Sequence, residues 1–261
     1  MHASRTIARG ALPLAAAALL ERLRARGPRV HCITNAVAQN FTANILLAAG
    51  CVPSMTLSAE EIAAFVARSD ALLVNLGTFD RERREATAIA VAEAARAQVP
   101  WVLDPVFVDR SPARAAFARE LMARAPRTVR LNHAEFSALS GVEPARETAL
   151  TFARGETTVM GLSGPTDLVT DGERIAGIAN GHPLMAKVTA MGCAASALVA
   201  ACLAVEPDAW RATSAALLIV GVAGEVAGGM AQGPGSFAVG FLDALYNLDG
   251  PTLIARARVT E

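Results

Sequence analysis

The chain has 261 residues, 53% of them hydrophobic, enough for one substantial core or two modest ones. Its 24 Lys and Arg balance 24 Asp and Glu, so nothing suggests a nucleic-acid surface, which needs clustered excess cation. Cys32, Cys51, Cys193 and Cys202 form no C-x-x-C pair; that spacing argues against a zinc site or disulfide framework and for a reduced, cytoplasmic protein.

Near the start, Arg5 and Arg9 precede ALPLAAAALL, a pattern that a secretory signal would also show. ERLRARG follows at once, so an amphipathic helix is the better reading. RVHCIT (29–34) reads as a first strand, followed by a helix from about Val37 to Ala49 that ends at Gly50. CVPSMT is a second strand. Ser58 and Glu61 have capping-box spacing for a helix to about Arg68. ALLVNLG (71–77) is a continuous apolar strand of the kind buried on both faces. Asp80 is placed to cap a helix running to about Gln98. WVLDP (101–105), TVRLN (128–132) and TTVMGLSG (157–164) are further strands. DLVTDGERIAGI reads as a hairpin turning at Asp171–Gly172. From Met191 to about Gly229 the pattern is nearly all helical. The richest apolar run, Ala190 to Val205, is too short and Ala-rich for a membrane span.

This βαβα alternation predicts a mostly parallel sheet with helices on both faces, in one domain over 1–261. Ligands of such sheets sit at the carboxyl ends of the strands. There the chain places Asn35, Met55, Gly77, Asp104, Asn132 with Glu135, and Ser163 with Gly164. Each alone reads as a cap or turn residue; six strands ending alike point to a site.

Asp104 and Glu135 are the acids suited to a hydrated Mg²⁺, which takes oxygen ligands and often only one or two carboxylates. Asn132 and Glu135 lie one helical turn apart and can face the same side. Arg130, at a strand's end, suits a phosphate, or is simply a surface arginine. In KVTAMGCAAS (187–196) a helix begins, and its free amides suit an anion. Gly192 permits close approach of backbone to ligand. The helix dipole is expected to lower the Cys193 pKa, fitting it to take a proton from an alcohol attacking phosphorus; the alternative is a small core cysteine. His2, His31, His133 and His182 form no recognisable nucleophile elbow, and GLSGP lacks G-x-S-x-G spacing. No G-x-x-x-x-G-K-[ST] loop is present.

HCITNAVAQNFTAN (31–44), PSM (53–55), VNLGT (74–78), LDPV (103–106), NHAE (132–135), KVTAMGC (187–193) and GPGSF (233–237) occur in one order across nearly the whole chain. Together they resemble the hydroxyethylthiazole kinase family. The resemblance implies a three-layer αβα ribokinase-like fold. It implies ATP-dependent phosphorylation of the primary alcohol of 4-methyl-5-(2-hydroxyethyl)thiazole, a thiamine biosynthesis or salvage step, with Mg²⁺. It also implies a cytoplasmic homotrimer with sites at subunit interfaces, binding neither nucleic acid nor membrane. Carried onto this chain, Asn35, Met55, Gly77 and Ala190 line the thiazole pocket, and Arg130 and Ser163 contact ATP. Asp104 and Glu135 organise Mg²⁺, Gly192 forms the anion hole, and Cys193 takes the catalytic-base position. Two departures stand out. Ala190 replaces a glycine where the loop needs positive φ or close approach. Phe107 to Ser111 replaces a Gly-rich loop, bringing Asp109 toward the phosphate region with Arg110 beside it. Alternatives are a kinase for another small alcohol, or a catalytically silent ligand-binding homologue.

Overall fold

The computed structural model describes residues 11–261; Arg5 and Arg9, on which the secretory-signal reading rested, lie outside them. The first helix, α1 (Ala11–Arg26), buries Leu12, Ala16, Leu19, Leu20 and Leu23, the three-to-four spacing of one helical face. Then come β1 (Arg29–Ile33), α2 (Gln39–Ala48), β2 (Val52–Ser54), α3 (Ile62–Ala67), β3 (Ala71–Asn75), α4 (Arg81–Ala97) and β4 (Trp101–Asp104). They are followed by α5 (Pro112–Met122), β5 (Thr128–Asn132), α6 (His133–Ser140), α7 (Arg146–Glu156), β6 (Val159–Ser163), β7 (Asp167–Thr170) and β8 (Ile175–Ile178). A 3-10 turn (Pro183–Lys187) leads to α8 (Met191–Leu203), α9 (Ala209–Gly228), α10 (Pro234–Asn247), α11 (Gly250–Arg256) and β9 (Val259–Thr260).

The nine strands form one sheet in the order β2-β1-β3-β4-β5-β6-β7-β8-β9. The strands from β2 to β6 in that order pair in parallel, while β7, β8 and β9 are antiparallel. Successive strand side chains point to opposite faces, and the core divides accordingly. Val30, Ala71, Leu73 and Val102 join α1, α2, α8 and α9 on one side. Leu72, Val74, Leu103 and Leu131 join α3, α4, α5 and α6 on the other. All five residues of β3 are buried, at roughly 1.5–3 kcal/mol for each large aliphatic side chain. This is a three-layer αβα arrangement.

One expectation is corrected here. The Ser58–Glu61 capping box does not form: Glu61 itself is the N-cap of α3 without a side-chain bond, and its carboxylate accepts from the Thr56 hydroxyl. The nearly all-helical stretch from Met191 to Gly229 occurs as read, as two helices separated at Ala204–Asp208, where the Asp208 carboxylate caps α9 through the amides of Trp210 and Arg211. α9 is also long and apolar enough to cross a membrane, with a mean hydropathy of 1.3. Here it is a core helix, packed against α1, α8 and α10. The Asp80 cap of α4 and the β7–β8 hairpin occur as read.

Candidate active site

Parallel pairing aligns the carboxyl ends of β1, β3, β4, β5 and β6 along one edge, and α8 starts against them. At β1, the Asn35 amide Nδ2 donates to Cys193 Sγ at 3.3 Å and lies 3.4 Å from Asn75 Oδ1. The Gly77 N–H donates to that same Asn75 oxygen at 3.0 Å. A Cβ at Gly77 would stand 2.5 Å from the Asn35 Cβ, so only glycine lets the two loops meet this closely. Asn75 is buried and was not singled out from sequence. Its signal was an amide closing an otherwise apolar buried strand, a costly placement unless the polar group has a task. Met55 follows β2, partly buried against the core.

Asp104 pairs with Asn75 in the strand register and is buried. Its Oδ2 accepts from the Ser196 hydroxyl at 2.7 Å. Ser196, one turn into α8, was also missed; in an Ala-rich helix it reads as a small core residue. Glu135 closes a true capping box: Asn132 Oδ1 accepts from the Glu135 amide, and Glu135 Oε2 accepts from the Asn132 amide, both at 2.9 Å. Its other oxygen accepts from the Phe107 N–H at 3.1 Å, tying the loop after β4 to the start of α6. Burial first, and then the charge of Asp104, push the Glu135 carboxyl up to about 6. Burial also raises Asp104, against the attraction of Arg130.

Arg130 lies among these groups. Its charge acts on Asp104, Glu135, Asp167 and Cys193, and its buried Nε has no hydrogen-bond partner among the described residues. Its guanidinium faces Gly192, where a Cβ would meet Nη1 at 3.4 Å. Arg130, Ser163 and Gly192 line one cleft of about 480 Å³. Asp167 shares it, and Leu217 and Val220 make it apolar farther along. The Ser163 hydroxyl is within 3.2 Å of the Leu131 carbonyl. Cys193 and Asn35 lie outside that lining.

The first turn of α8 has no side-chain cap, so the amides of Met191, Gly192 and Cys193 have no intrahelical acceptor. Ala190 sits at φ +69, the left-handed conformation that favours glycine and costs other residues about 1–2 kcal/mol. Phe107 likewise stands at φ +62. Asp109 and Arg110 pair with each other at 2.7 Å. The expected lowering of the Cys193 pKa is overturned. Burial, and secondly the charge of Asp104, push the thiol up to about 12, outweighing the nearby Asn75 amide, the bond from Asn35 and the attraction of Arg130. At neutral pH it is a thiol.

The residues present fit a divalent cation. Burial raises both carboxyls, and the charge of Asp104 raises Glu135 further; a cation between them and a phosphate would relieve that repulsion. They are two rather than three: no cluster of three His, Cys, Asp or Glu occurs among the described residues. That matches an ion held largely by water and phosphate oxygen.

The model of the hydroxyethylthiazole kinase family matches residues 20–250. A probable hydroxyethylthiazole kinase from Agrobacterium fabrum is 47% identical over 244 residues, 94% of either chain. The solved structure of a hydroxyethylthiazole kinase protein from Pyrococcus horikoshii is similar with a TM-score of 0.91 and 36% identity, covering 94% of this chain and 98% of that one. A ribokinase-like superfamily protein from Enterococcus faecalis is similar with a TM-score of 0.69, 10% identity, and coverage of 95% and 100%. That last likeness concerns the fold, which is ribokinase-like.

Proposed function

The chain belongs to the hydroxyethylthiazole kinase family, and from that premise we propose that it transfers the γ-phosphoryl group of ATP to the primary alcohol of 4-methyl-5-(2-hydroxyethyl)thiazole. The observation that carries the reading is the start of α8. Gly192 lines the Arg130–Ser163 cleft, sized for a nucleotide; the next residue, Cys193, lies outside that lining and is held by Asn35. A phosphoryl group at the uncapped amides would stand between donor and acceptor.

The residues have the following tasks. Arg130 and Ser163 hold the phosphates of ATP, and Arg130 with the α8 amides meets the charge spread over the transferred group. Asp104 and Glu135 hold Mg²⁺, which when bound neutralises charge on the phosphate oxygens. Asn35, Gly77, Ala190 and Met55 shape the acceptor pocket. The alcohol oxygen attacks the γ-phosphorus, and the bond to the bridging oxygen of ADP breaks. The alcohol loses its proton to solvent as its oxygen bonds phosphorus and becomes acidic. Cys193, a thiol, orients the hydroxyl instead of removing its proton beforehand. Loose phosphoryl-transfer transition states need alignment and charge stabilisation more than a strong base.

We read the chain as one kinase domain working in the cytoplasm as a homotrimer. Val37, two residues from Asn35, is 71% exposed, as expected of a side chain that a second subunit covers beside the site.

A coupled assay of ADP release with Mg-ATP, with and without the thiazole, tests the proposal. Thiazole-dependent release is expected, with the phosphorylated product identified by mass; folded, ATP-binding protein that stays silent would sink it. A second reading, another small alcohol as substrate, is favoured by the exposed Phe107 where a Gly-rich loop is expected. A substrate panel in which the thiazole has the highest kcat/KM removes it.

A further inference from the structure

Arg114 belongs to the first turn of α5, where the Ser111 hydroxyl accepts from its amide. Its side chain turns back to the loops after β3 and β4. Nη1 lies 2.5 Å from the Leu76 carbonyl oxygen, 3.0 Å from that of Gly77 and 3.1 Å from that of Val106. The guanidinium also lies over two rings, 5.4 Å from the Phe79 centroid and 5.9 Å from that of Phe107, and Arg84 lies 5.3 Å from Phe79. A planar, always-charged group can stack and donate at once, which an ammonium cannot.

The peptide group is planar and trans, so a carbonyl and the following N–H point in opposite directions. Arg114 holds the carbonyl of Leu76; the N–H of the same peptide belongs to Gly77 and is aimed at Asn75 Oδ1. Arg114 also holds the carbonyl of Val106; the N–H of that peptide belongs to Phe107 and is aimed at Glu135 Oε1. One guanidinium thus sets two peptide planes whose opposite edges face the site. The left-handed Phe107 brings its ring onto Arg114 and completes the grip.

We propose that Arg114 is a positioning residue for phosphoryl transfer: by gripping the Leu76 and Val106 carbonyls it orients the Gly77 and Phe107 amides, and through them Asn75 and Glu135. Its effect falls on the acceptor side and the metal-binding acid, not on the Arg130–Ser163 cleft. The kinetic part of this inference rests on the kinase reading above; the structural part does not.

Two measurements on the full chain test it. The first is hydrogen–deuterium exchange of wild type, Arg114→Lys and Arg114→Ala, each folded by circular dichroism. Exchange in segments 76–79 and 105–111 is expected to rise together, about tenfold or more, with β3 and β4 unchanged. The second is steady-state kinetics. Both variants are expected to raise the thiazole KM and lower kcat, with a combined loss of about 10²-fold in kcat/KM, the scale of a small misplacement. The ATP KM should rise less than the thiazole KM, and added guanidinium ion should restore part of the Arg114→Ala activity. The proposal is overturned if neither loop exchanges faster, or if folded Arg114 variants keep wild-type thiazole parameters. It is also overturned if the thiazole and ATP parameters worsen equally. A silent wild type would sink the kinase reading, and exchange alone would then decide the role of Arg114.

Discussion

Cys193 shows how far one side chain's chemistry depends on its neighbours. A helix start favours the thiolate, yet desolvation and the Asp104 carboxylate win, and the thiol stays protonated. A general base typically contributes ~10²–10⁴-fold; a protonated thiol that only orients the alcohol contributes less. Cys193→Ala is therefore expected to lower kcat by about tenfold, below that range. An aspartate starts with a pKa lower than a thiol's by roughly 4.6 units, so the same surroundings leave far more of it ionised. Cys193→Asp should keep or raise kcat and make it depend on pH near neutrality, where wild type is flat. A pH–rate profile of the three proteins checks this. A loss of kcat beyond about 10²-fold on Cys193→Ala would restore the base role.

At the scale of elements, the site depends on how strand ends are tied. His31 is wholly buried in β1, with Nδ1 2.8 Å from the Ser54 hydroxyl of β2 and Nε2 3.1 Å from the Thr56 carbonyl. Burial, its largest influence, lowers the imidazole's pKa against the opposing effects of the Thr56 bond and Glu61. The folded protein therefore binds this proton less readily than the unfolded chain. Stability from this group is full above the unfolded pKa of about 6.5 and is lost as pH falls toward the lower folded value. His31→Gln should lower stability at pH 7.5 and remove that part of the acid slope. Urea midpoints of both proteins between pH 5 and 8 test this, and parallel curves would refute it. A similar economy shapes the start of α6, where Asn132 and Glu135 cap the helix and present an acid at one edge. That box was legible as N-x-x-E spacing. The box at Ser58 had the same spacing and does not form, because Thr56 captures the Glu61 carboxylate.

For the whole molecule, the two faces of the sheet differ. One carries the Ala-rich α8 and α9 with α1, α2 and α10; the other carries α3 to α7. In the proposed homotrimer the exposed apolar side chains Val37 on the first loop and Val239 and Tyr246 on α10 would supply a subunit contact, since α10 packs against α2, which follows that loop. Sedimentation equilibrium is expected to give three times the chain mass, and Val37→Lys to weaken both assembly and thiazole turnover. A monomer with full activity would refute the trimer.

Strand positions, the parallel sheet, the Asp80 cap and the β7–β8 hairpin were readable in the residue order, because they rest on local periodicity and turn chemistry. So was the family, because its motifs are contiguous. The tertiary structure decided the rest. The break before α9 depends on Asp208 reaching its own helix, and the Arg114 grip depends on two loops that meet only when β3 and β4 pair. The proton on Cys193 depends on burial and then on the charge of Asp104, far away in sequence and adjacent only in the fold. Periodicity fixes which face of an element is buried; the electrostatics of a site are fixed by which elements are brought together.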